Sequence, residues 1–197
     1  MENEKNPQES MRPSVEQIEL EVERVNRRTQ VRSIIKSAAY ILLSAAAVVV
    51  ILAMLFFPVL RIYGTSMTPT LHEGQYVLAA KGASFNQGDI VAFYYNNQIL
   101  VKRVIGFPGD WVDLRDDGTV LVNGEILKEE YISEKHKGIT DLNYPYQVPE
   151  STIFVMGDHR MTSVDSRSTS VGCIPEDKIV GKIFFRVWPF GEMSKVE

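Results

Sequence analysis

The hydrophobic residues are concentrated in one long run near the N-terminal end of the chain. Residues 38–60, AAYILLSAAAVVVILAMLFFPVL, carry no charged side chain and one strongly polar side chain, Ser44. A helix needs about 20 apolar residues to cross the hydrocarbon core of a bilayer. The apolar part of a cleaved secretory signal is shorter, about 7–15 residues. The pattern therefore predicts a retained transmembrane helix over residues 38–60.

The residues before this run predict a polar tail and a short helix. Residues 1–13 are polar and contain two prolines, which is typical of a disordered segment. Ser14 and Gln17 have the spacing of a capping box at a helix N-terminus. Apolar residues then recur at helical spacing, at Val15, Ile18, Val22 and Val25. Residues 1–37 are thus predicted to form a tail and an amphipathic helix, either a solvated spacer or a partner-binding segment.

Basic residues lie unevenly on the two sides of the apolar run. Only Arg61 and Lys81 occur in the twenty or so residues that follow it. The residues before it include a basic cluster of Arg24, Arg27, Arg28, Arg32 and Lys36. Because cytoplasmic flanks of transmembrane helices are enriched in Lys and Arg, the N-terminus is predicted to be cytoplasmic and residues 61–197 extracytoplasmic.

Beyond the apolar run the pattern changes to that of β-strands. Short segments rich in Val, Ile, Phe and Tyr, such as QYVLAA, DIVAFYY and KIFFRVW, are separated by turn residues. Asp116-Asp117-Gly118 and Asn123-Gly124 are hairpin signals that predict a β-meander over residues 111–127. The remainder of an insertion around residues 110–150 is predicted to be irregular. The expected fold is mainly β, an antiparallel β-barrel or sandwich of residues 61–197 preceded by one transmembrane α-helix.

Charge and cysteine content exclude several classes of function. A net charge of -4 and the lack of a basic stripe argue against a nucleic-acid partner. Cys173 is the only cysteine, and the three histidines lack HExxH spacing, so neither an intrachain disulfide nor a metal site is predicted. The predicted chemistry therefore uses no cofactor.

One lysine lies inside a predicted strand. In the segment ILVKRVI, alternation places Leu100, Lys102 and Val104 on the same face. Such a lysine is either an edge residue whose ammonium reaches solvent or a buried base, since burial disfavours the charged form. The strand pattern alone favours the edge residue. A Ser/His/Asp triad is not evident, because the GxSxG motif is missing.

Three motifs that follow the apolar run resemble those of the type I signal peptidase family. They are SMxPT from Ser66, KRVxGxPGD from Lys102, and GDxRxxSxDSR from Gly157 to Arg167. The resemblance covers residues 38–190, and it is specific because the three motifs occur in order behind one apolar segment. It implies a membrane-bound serine endopeptidase that removes N-terminal signal peptides from exported precursors, after small residues in an A-x-A pattern.

The resemblance also implies roles for individual residues. Ser66 would be the nucleophile, Lys102 its general base, and Ser163 the hydroxyl that orients the lysine amine. Gly64 falls in the oxyanion region, where some relatives carry a serine, so the donor here must come chiefly from the Ser66 backbone amide. Two structural ion pairs are expected, Asp158 with Arg103 and Asp165 with Arg167.

Two positions depart from the family's third motif. His159 replaces the usual asparagine, and Gly172 follows Arg167 by five residues where relatives often have a glycine after three. Both departures concern the shape of the loop rather than the predicted catalytic pair. A histidine-based mechanism through His159 remains a weaker alternative to Lys102.

The segments before Ser66 and Lys102 are predicted to form the walls of a groove to which an extended peptide adds as a strand. Ile62, Met67 and Leu100 would line shallow apolar pockets suited to small residues at the first and third positions before the cut. The predicted partners are secreted precursor proteins and the membrane lipid bilayer, with the secretion translocon as a further candidate.

Two other functions fit the same residues. One is a Ser/Lys peptidase specialised for a particular pilin or assembly-linked precursor. The other is a noncatalytic, membrane-anchored β domain descended from a peptidase. Cleavage that depends on Ser66 would separate the enzymes from the noncatalytic domain.

Overall fold

The structure is a computed structural model that describes residues 14–196. The chain divides into two units, the first ending at Leu52 and the second beginning at Ala53. The first unit is helical, whereas the second is mostly β. The predicted polar tail of residues 1–13 lies outside the described residues.

One helix, α1, runs from Val15 to Phe56. The predicted capping box is present, since the Gln17 amide donates to Ser14 Oγ at 3.3 Å and the Ser14 amide donates to Gln17 Oε1 at 3.2 Å. The helix is long and apolar enough to cross a membrane.

The extent of α1 differs from the sequence prediction. A short helix was expected before a separate transmembrane helix that reaches residue 60. Instead one helix is continuous, because no glycine or proline interrupts residues 15–56. It ends before Pro58, since a proline restricts the preceding residue to extended conformations and lacks the N–H of a helical residue.

Twelve strands follow α1 in the part of the chain that the structure describes. They are β1 (Val59–Arg61), β2 (Tyr76–Ala80), β3 (Ile90–Tyr95), β4 (Gln98–Gly106), β5 (Trp111–Leu114), β6 (Val120–Val122), β7 (Glu125–Ile126), β8 (Tyr146–Gln147), β9 (Thr152–Met156), β10 (Ile174–Pro175), β11 (Ile179–Trp188) and β12 (Ser194–Lys195). Two short 3-10 helices, Glu176–Lys178 and Phe190–Glu192, flank β11.

The strands form two antiparallel sheets. The larger has the order β1-β2-β11-β3-β4-β9-β10, with β12 added to β11, and the smaller has the order β7-β6-β5-β8. The predicted fold class, one apolar helix followed by a mainly antiparallel β domain, is confirmed. The larger sheet is not closed into a barrel by hydrogen bonds, because β1 and β10 each pair with a single strand.

The predicted meander corresponds to β5, β6 and β7, which pair in sequence. Asn123 and Gly124 connect β6 to β7 with φ values of 54° and 84°. Both residues are thus left-handed, as a two-residue type I′ hairpin turn requires. The segment between β7 and β8 lacks strands and helices, as predicted for this insertion, but Tyr146–Gln147, also expected to be irregular, forms β8 and pairs with β5.

Candidate active site

Ser66 lies in a series of tight turns between β1 and β2. The Thr68 amide donates to the Thr65 carbonyl at 3.1 Å, and the Leu71 amide donates to the Met67 carbonyl at 2.8 Å. The side chains of Met67 and Leu71 are buried in the same core cluster. Two apolar anchors therefore fix the turn that presents the half-buried Ser66.

Lys102 is a buried residue of β4, with only 4% of its surface exposed. Its Nζ atom lies 2.5 Å from Ser66 Oγ. Val91, its partner on β3, belongs to the same core cluster as Leu100 and Val104. The preference for an exposed edge lysine, drawn from the strand pattern alone, is therefore wrong.

The apolar surroundings of Lys102 determine its protonation. Burial lowers the pKa of Lys102 to about 8, although the negative charge of Asp165 acts in the opposite direction. A lysine with this pKa is neutral in an appreciable fraction of molecules near pH 7 to 8, and a neutral amine can accept a proton. The 2.5 Å separation places that amine within hydrogen-bond reach of the Ser66 hydroxyl.

Asp165 and Arg167 form a fully buried ion pair next to the lysine. Arg167 donates from Nε to Asp165 Oδ1 and from Nη2 to Asp165 Oδ2, both at 2.8 Å. Burial would raise the pKa of Asp165, but the hydrogen bonds and charge of Arg167 outweigh it, and the pKa lies below its usual value. A carboxylate held in this way is a poor base.

The second predicted ion pair joins β4 to the third motif. Arg103 donates from Nε to Asp158 Oδ1 at 2.9 Å and from Nη2 to Asp158 Oδ2 at 2.7 Å. Thr70 Oγ1 donates to Asp158 Oδ2 at 2.5 Å, so the segment that carries Ser66 is attached to the same carboxylate. Sequence reasoning missed this function of Thr70, although the residue lies inside the first motif.

Ser163 is buried, and its Oγ atom has no hydrogen-bond partner in the described chain. The predicted hydrogen bond to Lys102 is therefore not formed in this structure, and the orienting role of Ser163 stays a prediction. The Oγ atom lies beside Gly157, where any side chain would collide with it and with the Ser66 carbonyl oxygen. Gly157 thus permits the close approach of Ser163 and Ser66, a role that the motif alone did not reveal.

An open cleft of about 700 Å³ adjoins Ser66 and Lys102. Residues 59–64 form one side and residues 98–102 form the other. The three residues predicted to line substrate pockets all contribute to it: Ile62, Met67 and Leu100. Ile62 and Met67 are buried, so they offer only a small apolar surface to a ligand.

Both sides of the cleft carry strand edges without a partner in residues 14–196. β4 pairs with β3 over residues 98–103, but with β9 only from Arg103 onward. β1 pairs only with β2. Unpaired N–H and C=O groups on such edges are templates for a further strand.

The side chain of His159 contacts a hydroxyl of its own loop. The Nδ1 atom of His159 lies 3.0 Å from Thr162 Oγ1. Within residues 14–196, no group of three His, Cys, Asp or Glu side chains is placed to hold a metal ion. The described site thus consists of a serine facing a buried lysine, and both residues line an open cleft in an antiparallel β domain.

Comparison with known proteins agrees with this class of site. The family model described as "Signal peptidase, peptidase S26" matches residues 34–188. The chain belongs to this signal peptidase family, so the family and the enzyme class predicted from the three motifs are confirmed.

Several relatives share most of the chain. Signal peptidase I of Bacillus licheniformis is 39% identical over 158 residues, which cover 74% of this chain and 83% of the relative. Signal peptidase I T of Bacillus subtilis (strain 168) is 38% identical over 156 residues, covering 73% and 79%. A signal peptidase I from Enterococcus faecalis V583, known from a crystal structure, has 32% sequence identity to this chain and a TM-score of 0.42. The match covers 51% of this chain and 97% of the Enterococcus chain. Together with these bacterial relatives, the long apolar helix indicates a membrane-anchored protein.

Proposed function

We propose that this chain removes signal peptides from secreted precursors with Ser66 as nucleophile and neutral Lys102 as general base. The observation that carries the proposal is the 2.5 Å distance between Lys102 Nζ and Ser66 Oγ, formed by a lysine with 4% exposure. Membership of the signal peptidase family supports the substrate class.

The proposed reaction proceeds through an acyl-enzyme. Lys102 Nζ takes the Ser66 proton as Oγ attacks the scissile carbonyl carbon, and the resulting ammonium protonates the departing amine of the mature protein. A water molecule, deprotonated by the same amine, then hydrolyses the ester and releases the signal peptide. The backbone amide of Ser66 would donate to the oxyanion, because Gly64 has no side chain that can do so.

The cleft edges supply the proposed mode of substrate binding. An extended signal peptide would pair with residues 98–102 of β4 and with β1, and its alternate side chains would point toward Ile62, Met67 and Leu100. Because little of Ile62 and Met67 is exposed, these pockets suit small side chains. The geometry thus supports cleavage after an A-x-A pattern.

The membrane arrangement belongs to the same proposal. Residues 1–37 would be cytoplasmic, residues 38–56 of α1 would enter the bilayer, and residues 61–197 would be the extracytoplasmic peptidase domain. The basic residues before the apolar run support this orientation. The partners would be secreted precursors and the lipid bilayer, with the secretion translocon as a further candidate.

Cleavage of an A-x-A precursor by the full chain in detergent tests this function. Ser66→Ala should abolish cleavage, whereas Ser84→Ala, at an exposed serine, should match the wild type. Cleavage that survives Ser66→Ala would remove the serine mechanism. If a pilin-type precursor is cleaved while the A-x-A precursor stays intact, the specialised peptidase is favoured. If neither precursor is cleaved, the noncatalytic domain is favoured.

A further inference from the structure

A buried network of polar side chains connects the proposed catalytic pair to the irregular segment between β7 and β8. Arg103, which follows Lys102 in β4, holds Asp158 through two hydrogen bonds. Thr70, four residues after Ser66, donates to the same carboxylate. Arg103 and Asp158 thus link the strand that carries Lys102 to the turn that carries Ser66.

Tyr131, from the irregular segment, covers this arginine. The guanidinium carbon of Arg103 lies 3.7 Å from the centroid of the Tyr131 ring, a distance at which the face of an aromatic ring attracts a cation. The Tyr131 hydroxyl donates to Glu129 Oε1 at 3.0 Å. Burial, followed by the charge of Glu129, raises the pKa of Tyr131, so the hydroxyl remains a donor.

Glu129 binds a second arginine of the site. Its carboxylate accepts from both terminal nitrogens of Arg160, and each side chain is only 1% exposed. Arg160 Nε in turn donates to the Gly157 carbonyl at 3.1 Å. Gly157 is the residue against which Ser163 and the Ser66 carbonyl pack.

Glu129 therefore connects to two parts of the site, the Gly157 segment beside Ser66 and the Arg103 side chain beside Lys102. It reaches the Gly157 segment through Arg160, and it reaches Arg103 through Tyr131. A buried guanidinium that loses its carboxylate is left as an uncompensated charge, which favours rearrangement of the surrounding groups. A small displacement of the Gly157 segment or of Arg103 would lengthen the contact between Lys102 and Ser66.

We propose that Glu129 and Tyr131 are positioning residues for the Ser66–Lys102 pair, acting through Arg160 and Arg103. This inference rests on the proposed function, because it assigns a contribution to the same reaction. It gives the irregular segment a role in turnover, in addition to any contribution to folding.

Full-length variants in detergent test the inference by kcat, KM, pH profile and thermal unfolding. Glu129→Gln keeps the size of the side chain but removes its charge. It should lower kcat by about 10- to 100-fold, the range associated with misplacement of catalytic groups, and leave KM nearly unchanged. It should also move the midpoint of the pH–rate profile, because the environment of Lys102 changes. Glu130→Gln, at the exposed neighbour, is the matched control and should match the wild type.

Tyr131 variants provide an independent test. Tyr131→Phe retains the ring over Arg103 and should retain most of kcat, whereas Tyr131→Leu removes the ring and should lower kcat with KM held. If Glu129→Gln does not fold, these two variants decide the question alone. Variants that only lower the unfolding temperature, with kcat and the pH midpoint unchanged, would overturn the positioning role. Persistence of cleavage in Ser66→Ala is a separate outcome, which would remove the proposed function itself.

Discussion

The backbone amide of His159 donates a hydrogen bond of 3.0 Å to the carbonyl oxygen of Ser66. This contact attaches the third motif to the segment that carries Ser66 through main-chain atoms, so it does not depend on the side chain at position 159. The imidazole Nδ1 atom lies beside Thr162 Oγ1, while Ser66 Oγ lies within reach of Lys102. The departure from the family's usual asparagine is therefore compatible with the same arrangement of the site.

Replacing this histidine with the family's residue should have little effect. His159→Asn leaves the backbone hydrogen bond to Ser66 in place, and the amide oxygen of the new side chain can still interact with Thr162. We expect kcat/KM for an A-x-A peptide within about threefold of the wild type, a change of less than 1 kcal/mol in the barrier. A loss of about a thousandfold would restore His159 as a candidate base.

The β-rich region, the meander and the fold class could be predicted because their signals are local. The pair Asn123-Gly124 specifies its turn by backbone conformation alone. The strands are short segments rich in Val, Ile, Phe and Tyr, separated by turn residues. The end of α1 was placed too late because the hydropathy of Val59 and Leu60 matches that of the helix. These two residues instead lie in β1 and pair with β2.

The site could be predicted only in part from the sequence. The motifs name Ser66 and Lys102, but the burial of Lys102 comes from residues far away in sequence, so the strand pattern alone favoured an exposed residue. Glu129 and Tyr131 gave no signal, because they lie in a segment without periodicity and contact arginines about 30 residues away. Ion pairs of this kind arise from tertiary packing, which no local pattern records.

The backbone conformation of Gly64 disfavours any side chain at this position. Its φ of +75° lies in the left-handed region, although no atom obstructs a side chain. Any residue with a Cβ costs about 1 kcal/mol or more in that conformation. Gly64→Ser and Gly64→Ala should thus lower the unfolding temperature by similar amounts.

Only the serine offers a hydroxyl to the oxyanion, so Gly64→Ser should have a higher kcat than Gly64→Ala. Single-turnover cleavage of the same peptide by both variants measures this difference directly. Equal kcat values would show that the hydroxyl does not reach the oxyanion. A loss beyond about a hundredfold in both variants, the size associated with removing a donor, would show that the glycine backbone itself is required.

Ser163→Ala separates orientation of the lysine from stability. The buried Oγ atom has no hydrogen-bond partner in residues 14–196, so its removal should leave the unfolding temperature unchanged or slightly higher. If this hydroxyl orients Lys102 during turnover, kcat should fall by about tenfold or more, within the range of contributions from general acid–base catalysis. Wild-type kcat in a stable Ser163→Ala protein would show that the hydroxyl is dispensable.

The proposed orientation is tested with tags at the two ends of the chain. Protease added to intact, wall-stripped cells should digest a C-terminal tag and spare an N-terminal one if the basic cluster holds the N-terminus in the cytoplasm, as proposed. Lysed cells are the control, in which both tags should be digested. Protection of the C-terminal tag in intact cells would reverse the orientation.

The pH dependence of cleavage should follow the neutral form of Lys102. With a pKa of about 8, the amine is mostly protonated at pH 6 and mostly neutral at pH 9, so kcat should rise through pH 8 and then level off. Lys102→Met removes the amine and should be inactive at every pH from 5 to 10. Lys102→His should not restore activity, because the shorter ring does not reach the same position. A wild-type optimum near pH 5 would exclude Lys102 as the base.

The stability of Lys102→Met shows whether its inactivity comes from lost chemistry or from unfolding. The pKa of Lys102 falls from 10.5 to about 8 on folding, so below pH 8 both states are protonated and the folded state bears the full cost of the buried charge. Between pH 8 and 10.5 the unfolded state binds more protons, and wild-type stability rises with pH. The methionine variant has no such cost and should be more stable than the wild type at pH 6.5, by roughly 3 kcal/mol.

Thermal unfolding in detergent measures this difference in stability between Lys102→Met and the wild type, which should shrink toward pH 10. An inactive variant that is less stable than the wild type at pH 6.5 would mean that Lys102 supports the fold, and its loss of activity would no longer identify the base.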